Sequence, residues 1–416
     1  MIARSSDPVV GQGIRLAREV VTPRGHWAWK GAVGAPHALK IGNVVYIGGQ
    51  LSLDGNGDLL GAGDIEIQTR NAFQGMVDVL AAAGTSMQEL MKLHTYYVYG
   101  GEGSAVTEYW EKMTRVRLGY LANPGPAATA LRVSGVPTSD LLIGIDGIAV
   151  IGGDKRRIMP AGSWDWSMPT PFSQGWRIGN RIFTGGQISA DSKGRATAVG
   201  DVEAQTENIL EFLRRVLREG GGDWKNLVTL KVCFRCSGSA DEARALNERI
   251  LDVVRRTIPE PRPALTAFGI DLVYEGLALE IDEIAILDDA EPVVPAGIEA
   301  PSFAAGFAHA WRSGAEVYFG GISASEQVGL RTQAETALAN LRRILAAAAS
   351  GATELVKVTA FFVADRDDRA GARGHETLTG VLGSLSSPGP VVTMVQVPAL
   401  PEAGQLFQID GIAVRR

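Results

Sequence analysis

The chain has 416 residues, of which 45% are apolar and 21% are charged. This apolar fraction is enough for buried cores and argues against a disordered chain. The net charge is −6 and no dense Lys/Arg run occurs, so we do not expect nucleic acid as a partner. Cys233 and Cys236 are the only cysteines, too few for a disulfide framework.

The N-terminal segment has no continuous apolar core, so we predict no secretory signal. The sequence contains no run of about 18 apolar residues, and we therefore predict no association with a membrane. Together these features predict a cytoplasmic protein.

One short pattern occurs three times in the chain. It reads GIDGIAV at Gly144–Val150, EIDEIAI at Glu280–Ile286 and QIDGIAV at Gln408–Val414. A second pattern precedes it each time, as YIGGQLS, FTGGQIS and YFGGISA. A period of roughly 130 residues is too long for a solenoid repeat and indicates a repeated domain. We predict three domains, at 1–152 (with an N-terminal leader over 1–22), 153–290 and 291–416.

The elements of the first unit follow from periodicity and turn signals. A strand pair over Ala38–Leu53 turns at Gly42-Asn43, a good hairpin dipeptide. Asp64 can cap a helix that ends at Gly84, because Ala72, Phe73, Met76 and Leu80 recur at helical spacing. The remaining predicted elements are a strand at Met91–Val98, a helix at Ser104–Leu121, and closing strands at Ala127–Ser134 and Leu141–Val150.

The second and third units repeat this order of strand pair, helix, strand, helix and strand pair. The order predicts an α+β fold in which each unit is a mixed sheet with two helices on one face. Three such sheets can bury their uncovered faces together, so we predict a single-chain pseudo-trimer that is a monomer or a small homo-oligomer. Alternation on the middle strands places Leu93, Leu230 and Val358 under the helices and His94, Lys231 and Thr359 on the opposite face.

Three segments carry a family resemblance: SQGWRIGNRIFTGGQIS at Ser173–Ser189, AQTENIL from Ala204 and LEIDEIAI from Leu279. They resemble the RidA/YjgF family, whose members are small homotrimers with ligand sites between subunits. The resemblance implies three RidA-like, chorismate-mutase-like domains, a small-molecule ligand, and no cofactor or metal. Members of the family hydrolyse reactive imines and enamines and release ammonia.

The chain departs from that family at the position of a substrate-binding arginine. Ala128, Leu265 and Val392 stand there, each followed by a threonine: Thr129, Thr266 and Thr393. The serine of the family's SGQ motif is replaced by Gly48, Gly185 and Gly320. A generic amino-acid imine deaminase is therefore in doubt, while water activation by a carboxylate in a cleft is not excluded.

The acid of the repeated last strand is present three times, as Asp146, Asp282 and Asp410. We predict that one of them acts as the base in a partly desolvated cleft, where burial raises the pKa of a carboxyl group. We predict the other site residues by aligning the sequences of the three units. His37, His309 and His375 are the polar partners; the substrate-binding set is Thr129, Thr266, Thr393, Gly49, Gly186, Gly321, Phe172, Phe307, Asn247 and Glu111.

Purely structural explanations for the same residues stay open. Each aspartate could be a buried acid bonded to backbone N–H groups, and His375 lies in a polar helix start where simple exposure explains it. The Cys233/Cys236 pair lies on a predicted strand that points the thiols to opposite faces, so we expect no zinc site.

Two classes of function fit these patterns. The first is a hydrolase of small C–N compounds of imine, enamine or amide type, with one cleft dominating because the histidines are unevenly distributed. The second is a non-catalytic small-ligand binder or regulator that has lost the deaminase arginine.

Overall fold

A computed structural model describes residues 17–29, 34–298, 300–324, 328–364, 372–385 and 388–415. Most of the predicted leader lies outside these residues.

The first unit contains two helices and six strands, all within the described residues. They are β1 (Arg18–Val21), β2 (Ala38–Ile41), β3 (Val44–Leu51), α1 (Ile65–Ala82), β4 (Leu90–Tyr97), α2 (Ser104–Arg117), β5 (Ala127–Arg132) and β6 (Ile143–Val150). The strand order is β1-β2-β3-β6-β4-β5, and only β4 and β5 run parallel. This is the mixed sheet that the sequence predicts.

The second unit repeats this arrangement. Its elements are β7 (Lys155–Ile158), β8 (Gly175–Ile178), β9 (Arg181–Thr184), β10 (Gln187–Ile188), α3 (Val202–Gly220), β11 (Leu227–Arg235), α4 (Ala240–Thr257), β12 (Arg262–Ile270) and β13 (Leu279–Ile286). The third unit contains β14 (Glu291–Val293), β15 (Phe307–Ala308), β16 (Ala310–Ser313), β17 (Glu316–Ser323), α5 (Leu330–Ala347), β18 (Leu355–Phe362), α6 (Ala372–Leu382), β19 (Val391–Gln396) and β20 (Phe407–Val414). Short 3-10 turns lie at Met87–Glu89, Trp224–Asn226, Ser302–Ala304 and Ala352–Glu354.

The first helices of units 1 and 2 begin at aspartate N-caps. Asp64 accepts hydrogen bonds from the backbone N–H groups of Glu66 and Ile67, and Asp201 caps α3 through Ala204. The first helix of each unit also carries one buried glutamine that ties it to the loop before the last strand. The three equivalents are Gln68, Gln205 and Gln333.

The two faces of each sheet are buried against different partners. Leu93, Leu230 and Val358 belong to the three separate clusters under the helices. The opposite faces contribute to one apolar cluster shared by all three units, which includes Tyr46, Phe183 and Tyr318. Burying those faces removes apolar surface that each sheet alone would expose to water.

Each unit also contacts both of the others through backbone groups. The N–H of Gly186 donates to the carbonyl oxygen of Ala128 at 3.0 Å, which joins units 2 and 1. The side chain of Gln408 donates to Ala267 at 2.7 Å, and Nζ of Lys357 donates to Ile47 at 3.2 Å. In addition, β15 of unit 3 extends the sheet of unit 2 by pairing with β12. Each of the three pairs of units is therefore joined by direct hydrogen bonds.

Candidate functional site

Strand register brings the polar face of the middle strands onto the repeated acids. His94 lies opposite Asp146, Lys231 opposite Asp282, and Thr359 opposite Asp410. Because alternate residues on a strand share a face, these side chains point away from the helices. They meet at the centre of the molecule, where a cavity of about 60 Å³ is lined by His94, Lys231 and Thr359. This is the placement that the alternation predicts.

Asp146 is fully buried and bonded to side chains from units 1 and 3. Its Oδ1 atom lies 3.0 Å from Nδ1 of His94 and 3.0 Å from Nζ of Lys357. Its Oδ2 atom accepts a 2.8 Å hydrogen bond from the hydroxyl group of Thr393. The bond between Thr393 and Asp146 crosses the boundary between units 3 and 1.

Asp282 is bonded to three side chains of unit 1. Its Oδ2 atom lies 3.1 Å from Nε2 of His94, 3.1 Å from Nζ of Lys92 and 2.8 Å from the hydroxyl group of Thr129. Both ring nitrogens of His94 therefore face carboxylate oxygens. We name the three aspartates, His94, Lys92, Lys231 and Lys357 the central network.

The pKa values of Asp146 and Asp282 correct the expectation of a raised pKa. Burial alone raises the pKa of Asp146, but Lys357 and His94 more than offset it and hold that pKa below its usual range. Burial also acts on Asp282, yet Lys92 and His94 keep the pKa of its carboxyl group well below the ordinary value. Both groups are stabilised as carboxylates, and such weak bases accept protons poorly near neutral pH. Their bonds also run to side chains, not to the backbone N–H groups considered above.

The three predicted histidines do not meet the aspartates. Within the described residues, the partners of the three acids are lysine, threonine and His94. His37 instead packs edge-on against His26 and Trp27, with ring centroids 4.3 and 4.6 Å apart. Burial and the neighbouring His26 lower the pKa of His37 to about 4.

The other two histidines lie in the third unit. His375 packs edge-on against Phe362 at 4.7 Å. Burial lowers the pKa of His309, and neither ring nitrogen of His309 has a hydrogen-bond partner in the part of the chain that the structure describes.

We call clefts the three boundary regions where the penultimate strand of one unit meets the Gly-Gly segment and last strand of the next. Cleft 1–2 is formed by Thr129 and Ala130 of unit 1 with Gly186 and Glu280 of unit 2. The equivalent sets are Thr266, Ala267, Gly321 and Gln408 in cleft 2–3, and Thr393, Met394, Gly49 and Gly144 in cleft 3–1. The predicted threonines and glycines thus do come together at unit boundaries.

Glu280 is the titratable side chain of cleft 1–2 that the sequence reasoning missed. It is 2% exposed and lies directly over Gly186, where an added Cβ atom would overlap its carboxyl group. Burial, and then the charge of Asp282, raise the pKa of Glu280 to about 8, against the opposing effects of Lys92 and a backbone hydrogen bond from Ala130. A carboxyl group with such a pKa exchanges protons near neutral pH.

The signal for Glu280 was present in the three last strands. Gly144, Glu280 and Gln408 hold one register position, opposite Tyr96, Cys233 and Phe361 of the middle strands. The aspartates were selected because all three last strands share them. The position two residues earlier differs from strand to strand, and this difference distinguishes the clefts. Cys233 and Cys236 are both free thiols.

Aromatic side chains form a wall across the boundary between units 1 and 2. Trp110 of α2 stacks on Trp166 of unit 2 with centroids 4.7 Å apart, and Tyr274 lies 6.0 Å from Trp166. Phe172 packs against Trp164 at 5.3 Å, so it belongs to this wall. Both Trp110 and Trp166 have buried indole N–H groups without a partner among the described residues. Unsatisfied buried donors are costly, and a ligand that accepts hydrogen bonds would satisfy them.

The other clefts differ in their linings. Cleft 3–1 contains a narrow void bordered by Trp29, Gly49, Tyr96 and Gly144, because Gly144 has no side chain to fill it. Trp29 there corresponds to Trp166 of cleft 1–2, and Gly144 to Glu280. In cleft 2–3, the amide of Gln408 fills the position and its Oε1 atom lies close to Gly321.

The remaining predicted residues have these locations. Asn247, on α4 at the position of Trp110, is buried with both amide atoms unpartnered within the described chain. Phe307 begins the short strand β15 that joins unit 3 to unit 2. Glu111 accepts a 3.2 Å hydrogen bond from Ser167 across the boundary between units 1 and 2, and it is partly exposed.

The positions of the missing arginine are buried and apolar. Ala128, Leu265 and Val392 are each 4–5% exposed. Their backbones approach the Gly-Gly segments closely: an added Cβ atom on Gly320 would lie 2.5 Å from the carbonyl oxygen of Leu265. Glycine is therefore required at Gly320 by close approach of a neighbouring backbone. None of the side chains of Ala128, Leu265 and Val392 can pair with a substrate carboxylate.

Comparison with known proteins gives a match in each unit. The family described as Endoribonuclease L-PSP matches residues 33–151, 167–287 and 297–415. A RutC family protein of Pyrococcus horikoshii is 33% identical over 112 residues, which are 27% of this chain and 82% of that protein. The 3-aminoacrylate deaminase RutC of Acinetobacter baylyi is 29% identical over 112 residues, again 27% of this chain and 82% of its own length.

Among solved structures, a chorismatase aligns with a TM-score of 0.43 at 18% identity, over 60% of this chain and 75% of that one. Among the described residues, no helix is both long enough and apolar enough to cross a membrane.

Proposed function

The chain belongs to the Endoribonuclease L-PSP family, and from that premise we propose that it hydrolyses a C–N bond of a small imine, enamine or amide in cleft 1–2. The observation that carries the proposal is Glu280, a buried carboxyl group with a pKa of about 8 at one of three otherwise equivalent positions. The deaminase named among the relatives supports the reaction class.

Glu280 transfers the protons in this reaction. For an imine, water adds to the carbon of the C=N bond, and the nitrogen gains a proton. The C–N bond then breaks, leaving a carbonyl product and ammonia. A carboxyl group near half-protonation can donate a proton to the nitrogen and, as carboxylate, take one from water. Asp282 and Thr129 lie behind Glu280 and keep its surroundings fixed through the central network.

The lining of cleft 1–2 indicates which substrates fit. Trp110, Trp166 and Tyr274 present aromatic faces, and Ala128 stands where the family has its arginine. An imine without a carboxylate group is therefore a better substrate than a 2-imino acid, because Ala128 cannot pair with a carboxylate as the family's arginine does.

Ammonia release tests the proposal, with propan-2-imine as the imine that lacks a carboxylate and 2-iminopropanoate as the imino acid. Glu280→Gln places in cleft 1–2 the side chain that cleft 2–3 already holds, so the fold is retained. We expect turnover to fall by about 10²–10⁴-fold, the size of a general acid–base contribution. The matched control is Glu207→Gln, which removes an exposed carboxyl group on α3 and leaves turnover unchanged.

Two results would count against this function. Full turnover by Glu280→Gln places the chemistry elsewhere. Binding of either imine by the unmodified protein without ammonia release favours the alternative, a non-catalytic small-ligand binder that has lost the family's arginine.

A further inference from the structure

His94 bonds to two of the repeated aspartates at once. Its Nδ1 atom lies 3.0 Å from Oδ1 of Asp146 in its own unit, and its Nε2 atom lies 3.1 Å from Oδ2 of Asp282 in unit 2. Both acids are held as carboxylates, which accept hydrogen bonds and donate none. Each ring nitrogen of His94 must therefore carry a hydrogen, and a ring with both hydrogens is an imidazolium with one positive charge.

The central network then contains more positive than negative charge. Its cations are His94, Lys92, Lys231 and Lys357, and its anions are the three aspartates. Besides Glu280, the titratable groups packed against it are neutral, because burial raises the pKa of each well above its usual range; they are Tyr96, Cys233 and Glu283. Within the described residues, one positive charge is therefore left over.

Glu280 lies beside this network on the same strand face. It precedes Asp282 by two residues on β13, so the two carboxyl groups share a face. The charge of Asp282 raises the pKa of Glu280, and the charge of Lys92 opposes it. His94 is bonded to the same Asp282 carboxylate as Lys92, so a positive charge on its ring also offsets the negative charge that Glu280 meets. A carboxylate on Glu280 would bring the buried charges into balance.

We propose that His94 is a positioning residue for the reaction in cleft 1–2, and that its imidazolium is the counter-charge for the carboxylate form of Glu280. This inference rests on the proposed role of Glu280. With the counter-charge, Glu280 can lose its proton without leaving an excess of buried negative charge, and can then accept a proton from water. With a neutral residue in place of His94, Glu280 stays protonated to a higher pH.

The repeat supplies two replacements for His94 that the fold already accepts. Lys231 holds the position in unit 2 and reaches Asp410 of the next unit at 3.1 Å, as His94 reaches Asp282. Thr359 holds it in unit 3, opposite the aspartate of its own unit. His94→Lys therefore keeps a positive charge, whereas His94→Thr removes it, and both remove the imidazole ring.

The titration of Glu280 separates a charge effect from a structural one. Its carboxyl ¹³C NMR signal is identified by its loss in Glu280→Gln and followed from pH 5 to pH 10 without substrate. We expect a midpoint near pH 8 in the unmodified protein, a midpoint higher by about one pH unit in His94→Thr, and a return to within about 0.3 pH unit in His94→Lys. Arg215→Thr, which removes an exposed cation of α3, should leave the midpoint unchanged.

The charge of His94 is measured on the unmodified protein. In protein labelled with ¹⁵N at the histidine rings, both nitrogens of His94 should give the NMR shifts of protonated nitrogen at pH 7. Because coupling between two sites is reciprocal, the ionisation of Glu280 near pH 8 should move these signals, and Glu280→Gln should abolish that step. His94→Lys identifies the signals by their absence.

A bare ring nitrogen on His94 at pH 7 would overturn the inference. So would an unchanged midpoint in His94→Thr, and an equal rise in His94→Lys would assign the effect to the shape of the ring and overturn it as well. If His94→Thr does not fold, the step in the His94 signals decides, since it needs only the unmodified protein and Glu280→Gln.

These titrations need no substrate, so they separate the counter-charge from the proposed hydrolysis. The expected midpoints without ammonia release would reject the hydrolysis and leave the counter-charge in place. Ammonia release with the same midpoint in every variant would reject the counter-charge alone.

Discussion

Gly144, Glu280 and Gln408 hold one register position but give their clefts three different chemistries. Glycine leaves a void, glutamine supplies an amide that bonds to Ala267, and glutamate supplies a titratable group. In a symmetric homotrimer, one residue must serve all three clefts. A tandem chain is free of that constraint, because each unit can change alone.

The raised pKa of Glu280 predicts a specific pH dependence of stability. The folded state holds the proton more tightly than the unfolded state, so this group favours folding below the ordinary pKa of about 4.5. Its contribution falls as the pH rises from there to about 8, the pKa in the folded state, by up to about 1.4 kcal/mol per pH unit. Denaturant unfolding at pH 5 and pH 8 measures the effect as the difference between the unmodified protein and Glu280→Gln.

In that comparison Glu280→Gln should gain stability relative to the unmodified protein as the pH increases. Glu207→Gln, at an exposed position, serves as the control and should follow the unmodified protein at both pH values. Parallel behaviour of Glu280→Gln and the unmodified protein would mean that Glu280 is not held in its protonated form.

The aspartates show what strand periodicity can and cannot specify. Period two places Glu280 and Asp282 on one face of β13, and the sequence identified that face correctly through His94, Lys231 and Thr359. Strand periodicity does not predict how close each residue of that face lies to the centre, because this distance depends on where the neighbouring unit crosses the strand. Asp282 reaches the lysines at the centre, whereas Glu280 ends in the cleft, and no pattern within one strand distinguishes the two.

Asp282 should therefore be required for stability. Asp282→Asn keeps the shape of the side chain but leaves the buried ammonium group of Lys92 without its charged partner. Breaking a buried ion pair on one side costs about 3–5 kcal/mol. Guanidinium unfolding of Asp282→Asn should show a loss of this size.

Asp252→Asn is the matched control, since Asp252 is 65% exposed and pairs with Arg255 on the surface of α4. Exposed pairs contribute about 0–1 kcal/mol, so this change should be nearly neutral. Equal stability of the two variants would show that the central network does not stabilise the fold.

At the scale of the element, the helices were the most predictable part of the chain. Asp64 caps α1 where the sequence places it, Asp201 caps α3 in the same way, and the apolar spacing gives the buried face. The role of Gln205 could not be derived in this way. A polar residue on a buried helix face only interrupts the apolar pattern, and its role cannot be assigned until its hydrogen-bond partners are known. Those partners lie some 70 residues away, before the last strand.

Replacing Gln205 should loosen the attachment of that loop. Its amide donates to Gly276 at 2.7 Å and accepts from the N–H of Ala278 at 2.8 Å. Gln205→Met keeps the volume but leaves two part-buried backbone groups without their side-chain partner, at up to about 1–3 kcal/mol each. Urea unfolding should report a loss of about 2–4 kcal/mol, reduced if water enters.

Gln74→Met provides the comparison, since Gln74 is exposed and bonds only to Asp78 on its own helix within the described residues. This change should stay within about 0.5 kcal/mol of the unmodified protein. A loss of the same size in both variants would assign the effect to the substitution type and not to the loop.

At the scale of the whole molecule, the three repeats predict three units. The contacts between units, however, are made by sheet faces that a single unit would leave uncovered. Tyr46, Phe183 and Tyr318 occupy equivalent positions and are buried in the one cluster that all three units share. Lys92, Lys231 and Lys357 each reach an aspartate of another unit. An isolated unit would expose both the apolar face and an unpaired buried charge.

These contacts predict that the chain is one compact particle in solution. A folded chain of 416 residues packed as a single body has a radius of gyration of about 22 Å, whereas three separated domains in a row would exceed about 30 Å. Small-angle scattering together with light scattering gives the radius and the mass, and a monomer of 44.1 kDa should show the smaller value. A single-chain mass with a radius above about 30 Å would mean that the units do not close on one another, and the central network and all three clefts would then be absent in solution.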